Sequence, residues 1–216
     1  MIARRIPGIM PVMGDDVGRL ENLWGGEFGD RYVERNREAA EGREPFWRGL
    51  HERHPFASAL EVGCNVGGNL YWLAQLLDPR EVFAVDINTS ALREVRGALP
   101  GVNAVYSPAR SLPFRDACFE LTFTTGVLIH QAPESLPIVM SEVVRCSRRF
   151  VLCGEYHADE LEEVPYRGER GALYKRDWGA LYQSLFPQLE LRERSFAPKG
   201  EGGWDDITFW LFEKAH

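Results

Sequence analysis

From Ala57 onward, short apolar runs alternate with stretches whose apolar residues recur at helical spacing. Ala59–Gly63 is an apolar run ending in a glycine turn, and it predicts a strand. Leu70, Leu73, Ala74 and Leu77 share one face of a predicted helix over 70–77, which Asp78-Pro79 ends. The same alternation predicts strands at 81–86, 102–106, 119–124 and 150–153, and helices at 91–99 and 136–146. Strands separated by helices of this length imply crossover connections and a parallel sheet. The rhythm then breaks. Residues 155–174 are polar and irregular, with Pro165, Gly168 and Gly171. Asp177 is placed to cap a helix carrying Trp178, Leu181, Tyr182 and Leu185 on one face. Residues 189–196 and 207–213 read as two last strands around a glycine-rich loop at 200–203, close enough in sequence to pair antiparallel. The predicted architecture is α/β: five parallel strands closed by one antiparallel hairpin, seven in all, with helices on both faces.

Upstream of the sheet, residues 17–52 read as helical with two interruptions. Gly25-Gly26 is one, and Pro45 marks a new start with Phe46, Trp47 and Leu50 as its apolar face. Residues 1–16, with Pro7, Gly8, Pro11 and Gly14, read as a mobile arm. The expected division is an arm at 1–16, a helical cover at 17–56 and a main domain at 57–216 with an insert at about 155–174.

Composition narrows the chemistry. The chain has 216 residues, a net charge of −7, 44% hydrophobic residues and 26% charged ones. The acidic balance argues against a generic nucleic-acid binder, which needs a basic surface. No apolar run approaches a membrane span, and the first residues lack the apolar core of a signal peptide. Cys64, Cys118, Cys146 and Cys153 form no CxxC pair. Scattered thiols suit a reducing cytoplasm and supply no zinc site, so no metal is expected.

The segment Glu61-Val-Gly-Cys-Asn-Val-Gly-Gly-Asn69 carries the chemistry. It lies between a predicted strand and helix, at the sheet edge where open α/β folds bind ligands. Gly63, Gly67 and Gly68 allow a tight turn and close approach of a ligand. Asp86, 25 residues after Glu61, ends the next strand, placed to accept hydrogen bonds from a ribose diol. A dinucleotide fingerprint would need glycine where Asn65 stands, and there is no Gly-Lys-Ser/Thr phosphate loop. A carboxylate at Glu61 suits a cationic ligand better than a pyrophosphate. The loop therefore fits a nucleoside that carries an amino acid.

These residues resemble the first motif of the class I S-adenosylmethionine-dependent methyltransferases, with Asn65 in place of the middle glycine. Asp86 matches their ribose-binding acid. Phe119–His130 matches their fourth strand and following loop, and Ala109-Arg-Ser-Leu-Pro-Phe114 their adenine-side loop. One departure is Pro108, where the family usually has an aspartate for the adenine amino group. A closer resemblance is to the methylases associated with pseudaminic acid biosynthesis. It is carried by Trp24–Asn36, the Asn65 variant of the glycine motif, Gly126–His130, Val164–Gly168, Lys175–Asp177 and Asp206–Lys214. The resemblance implies the Rossmann-like, seven-stranded methyltransferase fold, S-adenosylmethionine as cofactor with S-adenosylhomocysteine as product, and a small-molecule acceptor of sugar type in a biosynthetic setting.

It also implies a site. Cofactor contacts are expected from Glu61, Gly63, Cys64, Asn65, Gly67 and Asn69. Asp86, Ile87, Asn88, Ala109 and Leu112 follow on the adenosine side. Thr125, Gly126 and Val127 come from the fourth strand, and Trp24, Tyr32 and Asn36 from the cover. Cys64 reads as a small wall residue rather than a nucleophile, with no His beside it in sequence. His130, and secondly His157, are candidate general bases, because imidazole titrates near neutral pH. Glu155, Tyr156, Tyr166, Arg167, Arg170 and Lys175 are candidate acceptor contacts, the cations being suited to a carboxylate or phosphate. Each has a plainer structural reading: Trp24 and Tyr32 as core, Asn65 and Asn69 as turn residues, the 155–176 charges as a solvated loop. The transfer would put a methyl group on an oxygen or nitrogen of a small molecule. A protein or RNA methyltransferase and a non-catalytic cofactor-binding scaffold are the alternatives. No nucleic-acid or membrane partner is expected, and the oligomeric state stays open.

Overall fold

The computed structural model describes residues 16–36 and 41–215. The expected arm at 1–16 thus lies outside the described residues except for Asp16. The helical region holds α1 (Asp16–Gly25), α2 (Glu27–Arg35) and α3 (Glu44–Arg53). Gly26 parts the first two, and Pro45 lies in the first turn of α3, where its missing N–H costs nothing. The main domain continues with β1 (Ala59–Val62), α4 (Gly68–Leu76), β2 (Val82–Asp86), α5 (Thr89–Ala98), β3 (Asn103–Tyr106), β4 (Phe119–Thr125), α6 (Leu136–Cys146) and β5 (Ser147–Tyr156). It ends with β6 (Glu162–Glu163), β7 (Tyr174–Lys175), α7 (Trp178–Leu185), β8 (Leu189–Ala197) and β9 (Ile207–Lys214).

The seven-stranded sheet has the order β3-β2-β1-β4-β5-β9-β8, with only β9 and β8 antiparallel to their neighbours. This is the Rossmann-like methyltransferase architecture that the sequence predicts. Alternate residues of each strand feed two cores. Leu60, Val62, Trp210 and Phe212 pack with α6 and α7 on one face. Ala59, Ala84, Phe123 and Leu211 pack with α3, α4 and α5 on the other. Asp177 caps α7 by accepting the Ala180 N–H at 2.9 Å.

Two features depart from the expectation. Strand β5 is longer than 150–153 at both ends, because its charged start and polar end pair with β4 and β9. The insert is not wholly irregular either: β6 and β7 form a two-stranded ribbon, and the Tyr166 and Glu169 backbones bridge at its tip.

The parallel order reverses between β1 and β4. Chain segments leave these two strands in opposite directions and open a crevice at their carboxyl ends. Gly63 follows β1 and Gly126 follows β4 at this crevice.

Candidate active site

The turn after β1 is set by backbone geometry. Gly63, Asn65 and Gly67 have φ of 80°, 47° and 80°, the left-handed region that glycine and asparagine tolerate best. A Cβ on Gly63 would lie 2.4 Å from Val127 Cγ2, so the two crevice loops meet only because no side chain is there. The Gly63 and Cys64 N–H groups both donate to Val85 O, tying the turn to β2. Asp86, at the end of β2, accepts from the Asn88 N–H at 2.8 Å and the Asn65 N–H at 2.8 Å. Asn88 in turn caps α5 through the Ala91 N–H and donates to Trp24 O and Asp30 Oδ1.

The cleft has two compartments that share Tyr32, Gly63, Asn65, Gly126 and His130. The first, about 110 Å³, is mostly apolar. Asp86, Ile87, Asn88, Ser107, Ala109 and Val127 form its floor, and Leu20, Trp24 and Val33 of the first two helices its roof. The second, about 380 Å³, lies on the far side of Gly63. Its walls include Asn36, Arg43, Glu61, Cys64, Asn69, Thr125, Tyr156 and Tyr166. An aromatic cluster closes over the junction: Trp24 stands 4.3 Å from His130 and 5.4 Å from Tyr32 between ring centroids, and His130 stands 5.2 Å from Tyr166.

Electrostatics differ between the two ends. Glu61 is 2% exposed. Its Oε1 accepts from Asn69 Nδ2 at 2.6 Å, while Oε2 is buried with no hydrogen-bond partner among the described residues. Burial pushes this carboxyl up to about 8. Asn69 is fixed from its other side by Arg43 Nη1 at 2.9 Å and Trp47 Nε1 at 3.2 Å. Burial likewise raises the Asp86 carboxyl, against the lowering effect of its backbone N–H bonds. Burial also pushes the Cys64 thiol well up, and that keeps it a neutral wall. His130 is buried, and its Nδ1 lies 2.6 Å from Ala172 O. A carbonyl only accepts, so Nδ1 carries the proton and Nε2 the lone pair. Burial lowers this imidazole to about 4, so it is neutral at pH 7.

The structure does not gather every residue expected here. Leu112 lies in the core cluster, its N–H donating to Glu142, rather than in the wall of the first compartment. Gly67 shapes the turn without lining either compartment. Glu155, expected to face the acceptor, is fully buried instead. Its carboxylate accepts the N–H groups of Val127, Leu128 and Ile129, and holds the loop that carries His130. His157 and Lys175 line a separate cavity, and Arg167 and Arg170 line none of the three cavities. Arg43, Ser107 and Trp204 belong to the cleft and were not expected from the sequence. Arg43 precedes α3 and Trp204 follows the glycine-rich loop; no motif marks them, and only the fold brings the Arg43 guanidinium to 4.3 Å from the Trp204 ring. Among the described residues no group of three or more His, Cys, Asp or Glu is placed to hold a metal, and no helix is long and apolar enough to cross a membrane.

Residues 59–149 match the methyltransferase-domain family. A probable phthiotriol/phenolphthiotriol dimycocerosates methyltransferase of Mycobacterium ulcerans is 33% identical over 91 residues, 41% of this chain and 34% of that protein. A phthiotriol/phenolphthiotriol dimycocerosates methyltransferase of Mycobacterium leprae is 32% identical, over 33% of its length. The match thus spans about a third of these curated relatives. Among solved structures, the 1,6-didemethyltoxoflavin-N1-methyltransferase of Burkholderia thailandensis, with its acceptor and S-adenosylhomocysteine bound, superposes with a TM-score of 0.71. It is 16% identical and covers 100% of this chain and 98% of its own. Magnesium protoporphyrin IX methyltransferase from Synechocystis, with S-adenosylmethionine bound, gives 0.67 at 11% identity, over 95% of this chain and 100% of its own. At these identities the solved structures establish the fold. The chain has the class I methyltransferase fold, and residues 59–149 within it are similar to the methyltransferase-domain family.

Proposed function

We propose that this chain transfers a methyl group from S-adenosylmethionine to a nitrogen or oxygen of a small-molecule acceptor. The observation that carries this reading is the buried Glu61 carboxyl, with one oxygen tied to Asn69 and the other unpartnered, across a glycine turn from Asp86. An acid at each end of the turn complements a ligand with a diol at one end and an ammonium at the other. The donor supplies an activated methyl group on a sulfonium, so the chain need only bind, orient and exclude water.

Asp86 would take the ribose hydroxyls, and Ile87, Ser107 and Ala109 would enclose the base. The apolar walls and the Ala109 backbone take the place of the aspartate that Pro108 replaces. Glu61 would take the ammonium and Arg43 the carboxylate of the amino-acid end. Trp24, Tyr32 and Tyr166 would cover the junction, where exclusion of water strengthens each polar contact. His130, held neutral by burial and fixed through Nδ1, presents Nε2 as a hydrogen-bond acceptor. It would orient an acceptor N–H or O–H and receive its proton. Holding the two partners in near-attack geometry supplies most of the rate.

A compartment of about 380 Å³ under an aromatic roof favours a small acceptor over a folded protein or RNA. The similar proteins are named for three different acceptors: phthiotriol/phenolphthiotriol dimycocerosates, 1,6-didemethyltoxoflavin and magnesium protoporphyrin IX. The resemblance to pseudaminic acid-associated methylases favours an acidic sugar. Purified protein with methyl-labelled S-adenosylmethionine and a cell extract tests this. Label in the small-molecule fraction is expected. Label in protein or RNA overturns the acceptor class, and tight S-adenosylhomocysteine binding with no label anywhere points to a scaffold.

A further inference from the structure

A third cavity, about 600 Å³, opens beside the cleft among the end of β5, the ribbon strand β7 and the β8–β9 pair. It meets the larger compartment at Tyr156 and Asp205, which line both spaces. The Tyr156 hydroxyl donates to Asp205 Oδ2 at 3.0 Å and forms the partition between them. Two cations stand in its wall, Lys175 and Arg194. Neither has a carboxylate within ion-pair distance among the described residues, although the chain carries an excess of acid. Each instead lies against a ring: Lys175 Nζ is 5.7 Å from the Tyr156 centroid and the Arg194 guanidinium 5.7 Å from that of Trp210. The carboxylates of the same wall are already engaged. Asp205 accepts from Tyr156 and pairs with Lys199 at 3.1 Å, and Asp206 accepts the Lys199 N–H at 2.9 Å. Phe196 completes the wall, with 59% of its surface exposed.

We propose that this cavity receives the anionic end of the acceptor, a carboxylate or phosphate on a ring-like body, while the methyl-accepting atom lies across the Tyr156–Asp205 partition. The proposal rests on the reading of the cleft as the methyl-transfer site. A guanidinium fork from β8 and an ammonium from β7, lining one cavity, are suited to receive such an oxyanion. The exposed Phe196 ring and the Tyr156 face supply apolar contact for the body that carries it. Arg194 and Phe196 lie on β8, whose polar alternation otherwise reads as an ordinary edge strand, so the sequence does not announce them.

The test is titration of the full chain, saturated with S-adenosylhomocysteine, with glucuronate, glucose 6-phosphate and glucose, followed by amide chemical shifts. At least one of the two anions is expected to bind and glucose not, and the two anions separate carboxylate from phosphate preference. The Lys175→Gln/Arg194→Gln variant is expected to weaken the anion about tenfold or more while leaving S-adenosylhomocysteine affinity unchanged. Equal binding of glucose, an unweakened anion in the variant, or no anion binding overturns the proposal. Failure of the wild-type chain to bind S-adenosylhomocysteine overturns the cleft reading instead.

Discussion

Glu61 and His130 are both buried titratable groups, and burial drives each toward its neutral form. For Glu61 the consequence is coupling between ligand and proton. With its carboxyl near 8, the unliganded protein holds Glu61 mostly protonated at pH 7. An ammonium brought against Oε2 favours the carboxylate, so binding must expel the proton. S-adenosylhomocysteine titrated at pH 7 in two buffers of different ionisation enthalpy should release about one proton per site, with affinity rising from pH 6 to 8. Glu61→Gln should abolish the release and weaken binding; release that survives in this variant would place the titrating group elsewhere. For His130 the separable question is whether it holds the loop or takes the proton. An Asn side chain can keep a donor toward Ala172 O but has no basic nitrogen. His130→Asn should therefore lower kcat about a hundredfold with S-adenosylhomocysteine affinity unchanged. A retained kcat would reduce His130 to a loop anchor.

At the scale of elements, the two crevice loops differ in what their glycines do. Gly63 has φ of 80° and a Cβ position that Val127 already fills, whereas Gly126 has φ of 65° and open space where a Cβ would sit. Gly63→Ala should cost about 2–4 kcal/mol in urea unfolding, from backbone strain and the displaced Val127 together. Gly126→Ala should cost about 1 kcal/mol, from strain alone. Equal costs would mean that the contact between the loops is not tight. This contact also shows what the sequence could reveal. The strand–glycine–helix pattern at Ala59–Leu76 and the acid at Asp86 are local signals, and they located the crevice and its polar ends. The role of Glu155 is not legible in the sequence because its environment is not local. At the end of a strand it looks like a residue facing a ligand, but three N–H groups contributed by another strand's loop consume it. The placement of Leu112 is hidden for the same reason: it is set by burial in the core and by the Glu142 carboxylate that accepts its N–H. Arg43 carries no signal in the sequence because it reaches the site only when α3 packs against α4.

At the scale of the whole molecule, two buried carboxyls are expected to cost stability at alkaline pH. Glu61 and Glu155 lie at the carboxyl ends of the central strands, and burial raises them to about 8 and about 7. A carboxyl with a folded value above its unfolded one contributes most below the unfolded value, near 4.3, and loses that contribution as pH rises through the folded value. His130 acts on the acid side: lowered to about 4, it loses its contribution as pH falls from about 6.5 to that value. Above pH 6.5 only the two carboxyls remain among these groups, each with a limiting slope of about 1.4 kcal/mol per pH unit. The unliganded chain should therefore be less stable to urea at pH 8.5 than at pH 6.5, and Glu61→Gln with Glu155→Gln should flatten that decline. Saturation with S-adenosylhomocysteine should also flatten it, because an ammonium at Glu61 makes the ionised form the favoured one. Stability that rises over this interval in the unliganded wild-type chain would mean that water reaches both carboxyls. The crevice would then be wet, and the exclusion of water on which the proposed transfer depends would fail with it.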